Sequence, residues 1–377
     1  MTTVQAVRAV PFFSYQDVFS RQEDEYVRIF RDVMRRGAFI LQQDVARFES
    51  HLAEYLHAGH VIGVGNATDG LTMAFRAAGL RPGDEVIFPS HTMVASAASF
   101  AVLGGVPVPV DCGIDHLMDP EAIVSAITPR TRFLMPVHLN GRTVRMDAVE
   151  EIAARHDLVI IEDAAQGLGS RFKGRFAGTF GLAGAFSFYP AKILGGFGDG
   201  GAVVTNDANL ARHIRLQRDH GRDHAGQVEL WGVNSRLDNL QAALLDFQFR
   251  DFATVIRRRR DIATHYQREL GAIRQLVLPP APDAGPDHFD TYQNYEIEAD
   301  DRGGLQEFLR RHGVGTLVQW GGKAVHQFEQ LGLHAALPVT ERLFTRSLML
   351  PLNMTVSDDD IDYVCRLIRE FYQCQDP

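Results

Sequence analysis

The sequence predicts an α/β protein: a mostly parallel central sheet in a large domain, followed by a smaller α+β C-terminal domain. From about residue 60, short apolar runs alternate with segments of helical spacing, as in a sheet covered by helices. Polar residues gather at the carboxyl ends of those runs, where open parallel sheets bind ligands. The richest Pro/Gly stretch, 279–286, reads as a linker or exposed loop, with a different pattern beyond it.

Val61-Ile62-Gly63-Val64 reads as the first strand. Asn66-Ala67-Thr68-Asp69 follows as a turn and helix cap, with Leu71, Phe75 and Ala78 on one helical face. Glu85 to Phe88 is the next strand, ended by Pro89. Val106–Val110, Arg132–Val137, Leu158–Glu162, Ala185–Phe188 and Ala202–Thr205 continue the set, with a helix over Met146–His156. Leu237, Leu240, Leu244 and Phe247 recur at helical spacing into the basic run Arg257–Arg260, predicting one long helix whose arginines form a solvated face. Beyond the loop come a strand over Asn294–Glu298, a helix over Arg302–His312 and a closing helix over Asp358–Tyr372. Ile361, Val364, Cys365 and Ile368 line the apolar face of that last helix. The expected division is residues 1–250 for the large domain and 251–377 for the small one.

A net charge of -9 argues against a nucleic-acid footprint, which needs a basic surface to displace counterions. Cys112, Cys365 and Cys374 show no paired spacing, which fits a reducing compartment. Met1 to Pro11 lacks the pattern of a signal peptide, and no apolar run is long enough to span a bilayer. The expectation is a soluble cytoplasmic protein with no membrane or nucleic-acid partner.

Asp163 ends an apolar strand, where a buried acid is unfavourable by several kcal/mol or so unless a cation meets it. A protonated pyridine nitrogen would serve, and an Asp capping the next helix reads equally well. Lys192 lies between an apolar strand and a glycine-rich loop, where desolvation would free its amine for Schiff-base chemistry. The order of lysine before glycines is not that of a Walker loop, and Gly63-x-Gly65 lacks the third glycine of a dinucleotide fingerprint. Asn66-Ala67-Thr68 offers either a phosphate site at a helix start or an ordinary cap. His220 and His224, beside Asp219 and Asp223, have a spacing seen in metal sites, but they read better as a turn-rich loop, and no metal is predicted.

In order, Asp163-Ala-Ala-Gln166, Ser187-Phe-Tyr-Pro-Ala-Lys192, Gly198-Asp-Gly-Gly201, Asp219-His-Gly221 and Gly232-Val-Asn-Ser-Arg236 resemble the signatures of the DegT/StrS family. The likeness runs from Gly37-Ala-Phe-Ile-Leu through Pro82-Gly-Asp-Glu-Val86 to Leu348-Met-Leu-Pro351. The family comprises nucleotide-sugar aminotransferases dependent on pyridoxal 5'-phosphate, with fold type I, the aspartate aminotransferase fold. By this resemblance Lys192 holds the cofactor and shuttles the proton, Asp163 pairs with the ring nitrogen and Gln166 approaches the ring hydroxyl. Ala67, Thr68 and Ser187 hold the phosphate, and Asn234 reaches it from a neighbouring subunit, which implies a homodimer with shared active sites.

Met93 stands where the family has an aromatic residue stacked on the ring, and His91 is a possible substitute. The family's His-Tyr-Pro is here Gln319-Trp320-Gly321, so Trp320, Lys323 and His326, with His220 and Arg236, are substrate-side candidates. The implied reaction moves an amino group from an amino acid, expected to be glutamate, to a nucleotide-linked keto-deoxysugar, expected to be a dTDP-4-keto-6-deoxyhexose. The rivals are a sugar dehydratase of the same fold, a cofactor-binding regulator without turnover, and a nicotinamide enzyme. The presence of Lys192 speaks against the first, the complete catalytic set against the second, and the missing fingerprint against the third.

Overall fold

The computed structural model of the chain describes residues 8–373; Cys374 and Met1 to Val7, the start of the segment read for a signal peptide, lie outside the described residues. Three helices precede the sheet: α1 (Tyr15–Ser20), α2 (Glu23–Arg36) and α3 (Gln43–Leu56). In α3, Val45, Phe48, Leu52 and Leu56 recur every three or four residues and form its buried face. The chain then alternates β1 (His60–Val64), α4 (Ala67–Ala77), β2 (Glu85–Pro89), α5 (Val94–Ala101), β3 (Val106–Val110), α6 (Pro120–Ala126), β4 (Thr131–Leu134), α7 (Met146–His156) and β5 (Val159–Asp163). A short hairpin, β6 (Arg171–Phe172) and β7 (Arg175–Phe176), leads to β8 (Ala183–Ser187) and β9 (Gly201–Thr205).

The seven main strands are ordered β1-β9-β8-β5-β4-β2-β3. β9 runs against both neighbours and every other pairing is parallel, which makes the expected mostly parallel sheet. Most strand ends lie within a residue or two of expectation, and two of the differences involve proline. β4 stops at Leu134, since Pro136 has no N–H to continue the ladder; Pro136 O instead accepts from Asp163 N at 2.9 Å. Pro89 is part of β2, as its last residue, where a missing donor is tolerated.

After α8 (Ala208–Arg218), the long helix expected from Leu237 onward is two helices, α9 (Asn239–Phe249) and α10 (Phe252–Leu270). Phe249 and Phe252, on either side of the break at Arg250–Asp251, both pack against Tyr55, with ring centroids 5.2 and 5.8 Å away. The redirected α10 joins the two cores. Phe252 and Ile256 pack with the large sheet, and Ile262, Tyr266 and Leu270 pack with the C-terminal elements. Those elements are β10 (Leu276–Val277), β11 (His288–Phe289), β12 (Tyr295–Ala299), α11 (Arg302–Arg311), α12 (Pro338–Arg346), β13 (Ser347–Leu350) and α13 (Asp358–Gln373). β10, β12 and β13 form a small antiparallel sheet, while β11 pairs with β6.

The four consecutive arginines of α10 are not a solvated face. Of these four only Arg257 is exposed. Arg258 reaches Asp358 and Val356 O, and Arg260 reaches Asp290 O and Pro282 O. Arg259 is 3% exposed and donates to Tyr292 O, Gln293 O and Leu352 O at 2.9, 3.0 and 3.2 Å. Burial lowers its pKa to about 10, so it stays cationic at neutral pH and staples the C-terminal core to the helix. We expect Arg259→Ala to lower unfolding stability by about 3 kcal/mol, since three carbonyls lose a charged donor. Arg257→Ala should stay within about 0.5 kcal/mol. Denaturant melts of both check this, and equal losses would refute the staple.

Candidate active site

The site forms at the carboxyl ends of β5 and β8, where alternation along β5 sends successive acids to opposite faces. Glu162 accepts from the backbone N–H groups of Gly178, Phe180 and Gly181 at 2.6–2.7 Å and meets His138 Nε2 at 2.7 Å. Asp163 accepts from Ser96 Oγ at 2.6 Å and from the Ala165 backbone N–H at 3.1 Å. No helix follows Asp163, which removes the reading of a simple helix cap.

Lys192 sits in the turn after β8, where its backbone N–H donates to Tyr189 O at 2.8 Å. Burial pulls the amine down to about 8, against the nearby Asp163 carboxylate, which raises it. The turn is clamped by Gln293, which accepts from Ile193 N at 2.6 Å and donates to Ala191 O at 3.0 Å. A cavity of about 450 Å³ reaches Lys192 from between α1, the start of α10 and Asn353–Thr355.

An anion cradle lies across the sheet. Asn66 caps α4, with its Oδ1 accepting from Asp69 N at 2.8 Å, and the first helical bond is Gly70 N to Asn66 O. The amides of Ala67 and Thr68 therefore precede any helical acceptor and are free for an anion. Gly201 pairs with both Val64 and Ser187, so β9 holds the start of α4 beside the end of β8. A Cβ on Gly201 would lie 2.7 Å from Ala67 N, so only glycine permits this approach. The buried acid, the desolvated amine and the unsatisfied amides suit the ring nitrogen, aldehyde and phosphate of pyridoxal phosphate in turn.

The other anticipated residues divide. Gln166 lies near the strand end, its Oε1 accepting from Asn140 N at 2.9 Å and Asn294 Nδ2 at 3.2 Å. Met93 precedes α5 and is 53% exposed, whereas His91 is 1% exposed, hydrogen-bonds His116 O and faces Glu296 at 3.5 Å. Met93 thus has the open surface that His91 lacks. His326 is buried, with Nδ1 2.7 Å from Ser90 Oγ and Nε2 3.3 Å from Glu341 Oε1. Lys323, His220 and Asn234 are exposed, Trp320 is half-buried, and Arg236 pairs with Asp219 at 2.7 Å. Sequence reasoning missed Ser96, Gln293 and Asn140. Each acts on a residue far away in the chain, so no local spacing signals it.

This fold and site define an aminotransferase whose cofactor is pyridoxal 5'-phosphate. The chain belongs to the DegT/DnrJ/EryC1/StrS aminotransferase family, whose profile matches residues 20–369. It is 40% identical to the dTDP-3-amino-3,4,6-trideoxy-alpha-D-glucose transaminase of Streptomyces venezuelae, over 82% of each chain. The structure of S. venezuelae DesV with a ketimine intermediate superposes with a TM-score of 0.92 at 36% identity, covering 96% of this chain and 98% of that one. NtdA from Bacillus subtilis, with bound PMP, superposes with a TM-score of 0.90 at 28% identity, covering 99% and 87%. The protein is an enzyme of the nucleotide-sugar transaminase class.

A lysine titrating near 8 carries a far larger share of free amine at neutral pH than an ordinary lysine and should capture the aldehyde faster. We expect the rate of cofactor uptake by the apo-protein, followed by absorbance, to rise with pH and level off with a midpoint near 8. Asp163→Asn should move that midpoint down, because the carboxylate is the group that raises it. A midpoint near the ordinary lysine value would contradict the burial argument.

Proposed function

We propose that the enzyme transfers an amino group from an amino acid, glutamate by preference, to a keto carbon of a nucleotide-linked deoxysugar. The carrying observation is the desolvated Lys192 amine close to the Asp163 carboxylate, one strand pair away from an anion cradle. Lys192 holds the cofactor and moves the proton, and Asp163 keeps the ring nitrogen protonated. Gln166 donates to the ring hydroxyl, Met93 packs on the ring, and Ala67, Thr68 and Ser187 bind the phosphate. When bound, the cofactor supplies the electron sink that lets the proton leave the substrate carbon. The Streptomyces relative is named for a 3-amino sugar, so we assign the acceptor carbon to position three, in place of the 4-keto sugar expected from the sequence.

The same reading includes a homodimer. Asn234 and His220 are exposed on a loop that also presents Trp231, 93% exposed, and Val228, 67% exposed. Bare aromatic and aliphatic side chains beside a candidate phosphate ligand suit a surface covered by a second copy. Arg236, Trp320 and Lys323 stand as the substrate-side residues.

Two measurements bear on this. With glutamate and a panel of 3-keto and 4-keto nucleotide sugars, we expect NMR of the product to show an amine at carbon three. The Lys192→Ala protein should show neither product nor a lysine-bound cofactor band. Amination only at carbon four would move the assignment. Lys192→Ala, inactive alone, and Asn234→Ala, weak alone, should regain about one quarter of wild-type activity when co-expressed, because half the dimers then carry one intact site. Absence of complementation would overturn the shared site.

A further inference from the structure

The cavity beside Lys192 carries a charge imbalance that cofactor binding does not use. Its wall holds three basic side chains, Arg21, Lys192 and Arg259, against a single acid, Asp251. With Lys192 committed to the cofactor, two arginines face one aspartate, an excess of one positive charge. At about 450 Å³ the space falls within the ~300–1,000 Å³ of small-molecule pockets.

Neither arginine is neutralised locally. Arg218 and Arg259 are the two buried arginines among the described residues, and Arg218 meets Glu49 at 2.5 Å. Arg259 has carbonyls alone, its Nε finds no acceptor, and burial lowers its pKa with no acid to oppose the shift. A buried cation without a counter-ion is costly, and in a low-dielectric wall its field reaches into the space beside it. Arg21, which follows the last residue of α1, is exposed, donates to Met354 O and makes no ion pair among the described residues. That carbonyl engages one guanidinium nitrogen, so the rest of the fork is open to a carboxylate.

An amino-acid donor brings its amine and α-carboxylate to Lys192, where transfer takes place. A dicarboxylic donor has a second carboxylate farther along and one net negative charge, which offsets the excess in the wall; glutamine and alanine carry no net charge. We propose that the Arg21 guanidinium binds the side-chain carboxylate of a dicarboxylic amino donor in this cavity, with the field of Arg259 behind it, and so selects glutamate over neutral amino acids. The inference rests on the transaminase reading and names the residue that recognises its donor.

The test is the half-reaction of the holoenzyme with an amino acid alone, followed by loss of the lysine-bound cofactor band over a range of donor concentrations. Arg21 is exposed, so its variants should fold. With glutamate, Arg21→Ala should raise the half-saturating concentration about ten-fold or more and leave the limiting rate within about two-fold. Arg21→Lys should recover part of the loss, and Arg21→Gln, which keeps hydrogen bonding without the charge, should not. Glutamine, of the same shape but neutral, should saturate the wild type poorly and be indifferent to the substitution. Unchanged saturation by glutamate in Arg21→Ala, or equal recovery in Arg21→Lys and Arg21→Gln, overturns the proposal. So does a wild-type enzyme that takes its amine from glutamine as readily as from glutamate, although transfer itself would stand. A holoenzyme that reacts with no amino acid refutes the transaminase reading and the proposal with it.

Discussion

The molecule is arranged around two opposed groups at one buried end of the sheet, the amine of Lys192 and the carboxylate of Asp163. Removing either charge from water is unfavourable by several kcal/mol or so, and the two are met differently. Asp163 accepts hydrogen bonds from the Ser96 hydroxyl and the Ala165 amide. Lys192 gives up part of its charge, as its depressed pKa shows. A desolvated amine beside a supported acid is poised for attack on an aldehyde, and the acid remains for a cationic ring. Gly201 permits the third feature, because its bare backbone lets the free amides of α4 come close to Ser187.

What the sequence disclosed follows from how local each signal is. Asp163, Lys192, Thr68 and Ser187 lie within short segments whose strands, turns and helix start have their own patterns, so their placement at strand ends, in the turn after a strand or at a helix start could be read directly. Gln293, about a hundred residues from the turn it clamps, carries no such mark. The arginine run misled for a related reason. Four consecutive cations have the composition of a solvated face, but α10 passes between two cores and three of the four meet carbonyls or acids contributed by later segments. The break before α10 was hidden because Leu244 and Phe247 keep helical spacing up to it, while the aromatic residues on either side of it pack on Tyr55, which lies far back in the chain.

The joint between the cores is polar as well as apolar, and this has a geometric consequence. Apolar contacts tolerate sliding, whereas hydrogen bonds to fixed carbonyls and carboxylates constrain direction. Arg259 binds backbone oxygens before β12 and after β13 from within α10. On the other side of β12, Glu296 and Glu298 meet His116, which follows β3, and these two acids raise His116 to about 9 against its burial. The small sheet is thus held from two directions by charged groups of the large layer. Tyr292, Gln293 and Asn294 lie between these anchors, and they include the clamp on Lys192 and the partner of Gln166. Fixing β12 relative to the large sheet therefore fixes the two side chains that set the orientation of the lysine turn and of Gln166, so the second core acts on the chemistry without contributing to the sheet that carries it.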